Sequence, residues 1–135
     1  MTIEELIERR ATAVGARDAA AALANTAPDV VVFDAMVPLR RIGQETEAER
    51  LGQWLSSFQS PVGYEVRDLQ VVEGDSVAFC HYLYRISGTT AAGGIDMWLR
   101  CTLGLRRLEG AWTIVHEHVS VPFDATGAAD MTAQP

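Results

Sequence analysis

The sequence predicts an α+β domain in which three N-terminal helices pack on a curved, mainly antiparallel sheet. Three observations predict it. Apolar residues recur at helical spacing as far as Phe58. From Tyr64 on, long runs of strand-forming residues alternate with short turns. The last two runs, Gly94 to Pro122, meet at a Glu109-Gly110 turn and read as one long hairpin.

Thr2 and Glu5 form a T-x-x-E capping box ahead of Ile3, Leu6, Ile7, Ala11 and Val14, whose spacing predicts a helix ending near Gly15. Asp18 can cap a second short helix over Ala19–Ala24, closed by Asn25 and Pro28. Val30–Phe33 reads as a short strand broken at Asp34, with Pro38 and Gly43 bracketing a turn. Gln44–Phe58 reads as the third helix, its apolar stripe formed by Ala48, Leu51, Trp54, Leu55 and Phe58. Tyr64–Val72 and Ser76–Ser87 read as strands turned by Glu73-Gly74-Asp75, and Gly88–Gly94 as a flexible connection. The small, polar residues 124–135 are expected to be a disordered tail, which leaves residues 2–123 as one domain.

If Leu108 faces Ala111 across the turn, Leu103 faces His116, Cys101 faces His118, Thr102 faces Glu117 and Arg100 faces Val119. One face then carries Asp96, Trp98, Arg100, Thr102, Glu117 and Val119, a polar set able to line a wet pocket. The other carries Met97, Leu99, Cys101, Leu103, Leu105, Trp112, Ile114, His116 and His118, mostly apolar and in need of cover. A slip of one residue exchanges the faces.

Composition excludes several functions. The 11 basic residues are all Arg and stand against 18 acidic ones, for a net charge of −7, so nucleic acid and anionic membranes are not expected partners. Without Lys there is no side-chain amine for Schiff-base chemistry. The charged N-terminus has neither a signal-peptide core nor a spanning apolar run, which points to the cytoplasm. Cys80 and Cys101 lack metal spacing and read as buried thiols. His116 and His118 share a strand face, but no third ligand at usable spacing supports a metal site. No nucleophile elbow or phosphate-cradling glycine loop is present, and no cofactor is expected.

The element order, the D-V-V-V-F-D segment at residues 29–34 and the closing W-T-I-V-H-E-H-V-S-V-P at residues 112–122 resemble the NTF2-like (cystatin-like) superfamily, in particular its SnoaL-like and ketosteroid-isomerase-like branch. The resemblance implies a cone whose concave sheet face lines a pocket and whose convex face forms a homodimer. It implies that Asp34 holds the general-base position. Arg10 and Thr102 stand where that isomerase has its two oxyanion donors, Tyr and a protonated Asp. It turns Phe79, His81, Leu83 and Arg85 toward the pocket, and Asp96, Trp98, Arg100, Thr102 and Glu117 with them, leaving His116 and His118 at the interface.

The candidate site is therefore Asp34 as base, with His81 and Arg100 as replacement oxyanion donors. Trp54, Asp96, Trp98, Thr102 and Glu117 are the expected binding residues; Asp96 can instead pair with Arg85 across the strands, and the tryptophans can belong to the core. The expected function is a cofactor-free isomerase, cyclase or dehydratase moving protons on a hydrophobic carbonyl compound. The alternatives are a non-enzymatic module that binds a small hydrophobic or carboxylate-bearing ligand or dimerises, and an epoxide hydrolase built on Asp96, Arg100 and Glu117.

Overall fold

Thr2 caps the first helix as its spacing predicts. In the computed structural model, which describes residues 1–135, the Glu5 amide donates to Thr2 Oγ1 at 3.1 Å and the Thr2 amide to the Glu5 carboxylate at 3.4 Å. The box contributes about 1 kcal/mol and starts α1, Ile3–Gly15. Ile3, Leu6, Ile7 and Val14 form its buried stripe, each contributing roughly 1.5–3 kcal/mol. Asp18 caps α2, Ala19–Ala22. This helix stops short of Ala24 because β1 already begins at Thr26 and runs to Phe33. Pro28 is tolerated there because the ladder to the last strand is broken between Thr26 and Val31, and the other neighbour reaches only Val31 and Val32.

That neighbour is β2, Arg41–Ile42. Helix α3 follows, Gln44–Ser56, and ends before Phe58, which instead bridges Thr90. Four long strands complete the chain: β3 Gly63–Glu73, β4 Val77–Thr90, β5 Gly93–Leu108 and β6 Ala111–Ser120. The sheet order is β2-β1-β6-β5-β4-β3, antiparallel except between β1 and β6. The expected flexible connection over Gly88–Gly94 is absent. Thr90 pairs with Gly93, so only Ala91 and Ala92 turn the chain, helped by Gly93 at φ 122°.

The final hairpin turns where expected. Glu109 and Gly110 have φ of 50° and 81°, the two left-handed residues of a type I′ turn. Leu108 faces Ala111 and Leu105 faces Ile114, but Gly104 then faces His116. Val115 is an extra residue, a β-bulge, and the pairing slips by one beyond it: Leu103 faces Glu117 and Cys101 faces Val119. The bulge gives Glu117 the same face as Leu103 and Cys101, while His116 and His118 take the opposite face.

The helices cover the apolar sheet face. Ile3 and Leu55 from the helices meet Leu103, Leu105 and Ile114 from the strands, all essentially without exposure. Trp112 belongs to this covered side, not to the face of the histidines. Beyond β6 the chain doubles back: Phe123 bridges Ala129, and the Asp130 amide donates to the Pro122 carbonyl at 2.7 Å.

Candidate active site

A cavity of about 370 Å³ lies between the covered sheet face, α1, α3 and the C-terminal segment, and 16 of its 22 lining residues are apolar. Val14, Leu51, Trp54, Ile86, Met97 and Leu99 make up much of its wall. Six charged residues also reach it: Arg10, Arg41 and Arg50 against Asp34, Glu47 and Glu117. They form two separate groups.

The floor pair joins α1 to β6. Arg10 lies three residues past Ile7 and four before Val14, on the face of α1 that packs toward the sheet. Its Nη2 donates to Glu117 Oε2 at 2.8 Å, with side-chain exposures of 12% and 15%. Burial works against the charge on Arg10, but Glu117, the Tyr82 and Tyr64 phenols and Cys101 together outweigh it and hold the pKa above its ordinary value. Arg10 Nη1 is buried without a hydrogen-bond partner. Glu117 Oε1 has only the Cys101 thiol, at 3.9 Å. Tyr64 and Tyr84 line the cavity beside this pair, their rings stacked 5.2 Å apart. Burial raises the pKa of Tyr64, Tyr82 and Tyr84, so all three remain neutral hydrogen-bond donors. Burial pushes the Cys80 thiol up to about 11. Burial, reinforced by Glu117, raises Cys101 as well. Neither thiol is an activated nucleophile.

The rim cluster sits where β1 ends. Asp34 Oδ2 accepts from Arg41 Nη2 at 2.8 Å and lies 3.2 Å from Arg50 Nη2, and Oδ1 accepts from the Ala35 amide at 2.7 Å. Arg41 Nε also donates to Glu47 Oε1 at 2.5 Å. Burial opposes the charge on Arg41, and its hydrogen bonds to Glu47 and Asp34 outweigh that and raise its pKa. Arg50 is the exposed member, at 40%.

A family model for the SnoaL-like domain matches residues 3–124. The chain belongs to the SnoaL-like family. Solved structures agree with the assignment. An NTF2-like protein of unknown function from Pseudomonas putida KT2440 is 32% identical, with a TM-score of 0.88 over 98% of this chain and 94% of that one. An NTF2-like superfamily protein from Salmonella enterica serovar Typhimurium LT2 is 15% identical, with a TM-score of 0.79 over 91% and 90%. A ketosteroid isomerase-like protein from Erwinia carotovora atroseptica SCRI1043 is 21% identical, with a TM-score of 0.71 over 87% and 92%. The last two likenesses speak for the fold. No curated protein sequence matches the chain.

Within this SnoaL-like domain, Asp34, Trp54 and Glu117 line the cavity. The other expected site residues lie on the opposite sheet face. His81 pairs with Thr102, and Thr102 with His118, away from the helices. Arg100 donates to Ser120 Oγ at 3.0 Å, and Trp98 is buried under the Arg67 guanidinium, 4.7 Å away. Asp96 forms the cross-strand pair with Arg85, two bonds of 2.8 Å in the open. The reason is amphipathicity: three helices need an apolar partner, so the cavity lies on the side of Met97, Leu99 and Cys101. The polar set faces outward because the helices cover the apolar face. Asp96 and Arg100 therefore never meet Glu117, and the triad for epoxide hydrolysis is not assembled.

His116 and His118 do share the outer face, with Phe33 edge-on to both rings. His116 Nδ1 donates to the Val31 carbonyl at 2.7 Å. No group of three His, Cys, Asp or Glu side chains is placed to hold a metal ion. No helix is long and apolar enough to cross a membrane. Tyr64, Tyr84, Arg41, Glu47 and Arg50 escaped the sequence reading. The tyrosines carried a signal, since Tyr84 alternates with Tyr82 and Ile86 on the apolar side of β4. The salt partners carried none.

Proposed function

We propose that the domain is a cofactor-independent proton-transfer enzyme for a small apolar carbonyl compound, with Glu117 as base and Arg10 as oxyanion donor. One observation carries this reading: the floor pair is only half used. Arg10 and Glu117 hold each other through one atom each, while Nη1 has no partner and Oε1 has only a thiol. Asp34, the base expected from the sequence, lines the same cavity but has both oxygens engaged by Arg41, Arg50 and the Ala35 amide.

In this reading Glu117 Oε1 takes a proton from the carbon next to the carbonyl. The C–H electron pair moves into a new C=C bond, and the carbonyl π pair moves onto oxygen. The Arg10 guanidinium, with Tyr64 or Tyr84, donates to the resulting enolate oxygen. Where a C=C bond is conjugated to the enolate, return of the proton from Glu117 to the far carbon isomerises the compound; attack by the enolate on a second carbonyl, whose oxygen takes that proton, cyclises it; departure of a β-hydroxyl as water, carrying that proton, dehydrates it. A positioned base contributes about 10² to 10⁴ in rate, and an oxyanion donor about 10² to 10³.

Exchange in deuterium oxide tests this without knowledge of the physiological substrate. Apolar ketones incubated with the protein should gain deuterium at the α-carbon, and Glu117→Gln should abolish the gain. Exchange no faster than in buffer across the panel would sink the enzymatic reading. The second reading, a binding module for a carboxylate-bearing apolar ligand, is favoured by the buried Arg10 charge. It predicts ketone and carboxylate binding without exchange, lost in Arg10→Met.

A homodimer through the outer sheet face is part of the same proposal, supported by the exposed Phe33, Val72 and Phe79 on that face. Light scattering at micromolar concentration that returns the monomer mass rejects it.

A further inference from the structure

We infer that the segment from Phe123 to Thr132 is a strap across the cavity mouth, and that Met131 on it sets the length of ligand the cavity accepts. The inference rests on the proposal that the cavity holds an apolar compound with its polar end at Arg10 and Glu117. Ala129 and Met131 both line the cavity, although they lie well past the last strand. The chain reaches back because two aspartates shape it. Asp124 Oδ1 accepts from the Thr126 amide at 2.8 Å, the Thr126 hydroxyl at 2.6 Å and the Ala128 amide at 3.2 Å. Asp130 Oδ1 accepts from the Thr132 amide and hydroxyl at 2.9 and 2.7 Å. The Asp124 amide donates to the Ala128 carbonyl, and the Asp130 amide to Pro122.

Every hydrogen bond of the strap is internal to residues 122–134. It has its own shape and is joined to the body by the chain at Pro122 and by apolar contact over the cavity. Such a unit can lift to admit a ligand without breaking its own bonds. Met131 is 44% exposed, so one side of it faces the cavity and the other the solvent. Met36, on the loop after β1, lines the cavity too and is also exposed. An unbranched thioether adapts to the end of an apolar chain, and a longer or shorter side chain at residue 131 changes the room left beyond it.

The test uses the full chain and the linear methyl ketones from hexanone to tetradecanone. Binding is followed by the emission of Trp54, which lines the cavity whereas Trp98 and Trp112 do not; a Trp54→Phe control identifies its signal. In the unsubstituted protein, affinity should rise about fourfold per methylene and then stop rising at a limiting length. Met131→Ala should move that limit to longer ketones, and Met131→Trp to shorter ones. Residue 131 lies outside the core, so neither change should alter the fold, which circular dichroism verifies. The same limit in all three proteins overturns the strap inference and leaves the cavity reading standing. No change in Trp54 emission with any ketone in any of them overturns both.

Discussion

The cavity contains two ion clusters that differ in how far their members satisfy one another. At the rim, Asp34 is held by two guanidinium groups and a backbone amide, and Arg41 bridges it to Glu47. At the floor, Arg10 and Glu117, 107 residues apart in sequence, form a single charged pair with no third charge beside them. One nitrogen there has no hydrogen-bond partner, and one oxygen has only the Cys101 thiol. The rim also has one buried donor without a hydrogen-bond partner, Arg50 Nε, but every rim carboxylate oxygen near it is already engaged: it lies 3.8 Å from Glu47 Oε2, which accepts from Arg41. A carboxylate that is fully engaged fastens β1, β2 and α3 together. One that is half engaged inside an apolar cavity is the one to which we assign the proposed chemistry.

The largest expected effect tests the floor pair as a structural element. Arg10→Ala leaves Glu117 buried without its partner and should cost about 3–5 kcal/mol, read from the urea midpoint. Replacing both members together, Arg10→Met with Glu117→Leu, should recover most of that loss; additive losses would show that the two do not act as a pair.

Next in size is the catalytic contrast. Glu117→Gln should lower α-proton exchange by about 10² or more, while Asp34→Asn should lower it less than about tenfold. The reverse order would return the base to the rim.

The third prediction concerns alkaline pH. Tyr64, Tyr82 and Tyr84 have raised folded-state pKa values, chiefly through burial, as do Cys101 and Cys80. A raised value means the stability is fully present below the ordinary pKa and is lost as pH climbs above it. The urea midpoint should therefore hold from pH 6 to about 8. It should then fall through the thiol and phenol ranges, by about 1.4 kcal/mol per pH unit for each group that has begun to ionise in the unfolded chain. Because most of these groups surround Arg10 and Glu117, Tyr64→Phe should make the decline shallower. A midpoint flat to pH 11 would contradict the burial described here.

The smallest effect is outside the cavity. Arg85→Ala removes the exposed pair with Asp96 and should leave the midpoint unchanged. A clear loss would mean that the outer face is covered.

Much of this architecture could be read from the chain. The Thr2–Glu5 box, the Glu109-Gly110 turn and the order of helices before long strands are local signals, and they appear where expected. The positions of Asp34 and Trp54 on the cavity wall were also legible. The face of β5 is not legible from its own residues, for a different reason. Polar Asp96, Trp98, Arg100 and Thr102 looked like pocket residues, but the helices require the alternating Met97, Leu99, Cys101, Leu103 and Leu105 beneath them. The apolar stripes of the helices, which need an apolar partner, decide the face. The bulge and the salt partners are another case. No local propensity marks Val115 as the unpaired residue, and Arg10 meets Glu117 only after the whole chain has folded between them.

The unpaired residue at Val115 also means that the chemical character of the cavity depends on strand pairing as much as on residue type. Side chains alternate along β6, so a strand that took Val115 into a regular ladder, without the bulge, would present His116 and His118 inward and Glu117 outward, with no letter of H-E-H altered. An acid-floored cavity and an imidazole-floored one are thus separated by whether one residue of the strand is left unpaired. Comparing two such sequences by which residues they share, without locating the bulge, would assign the wrong chemistry to one of them.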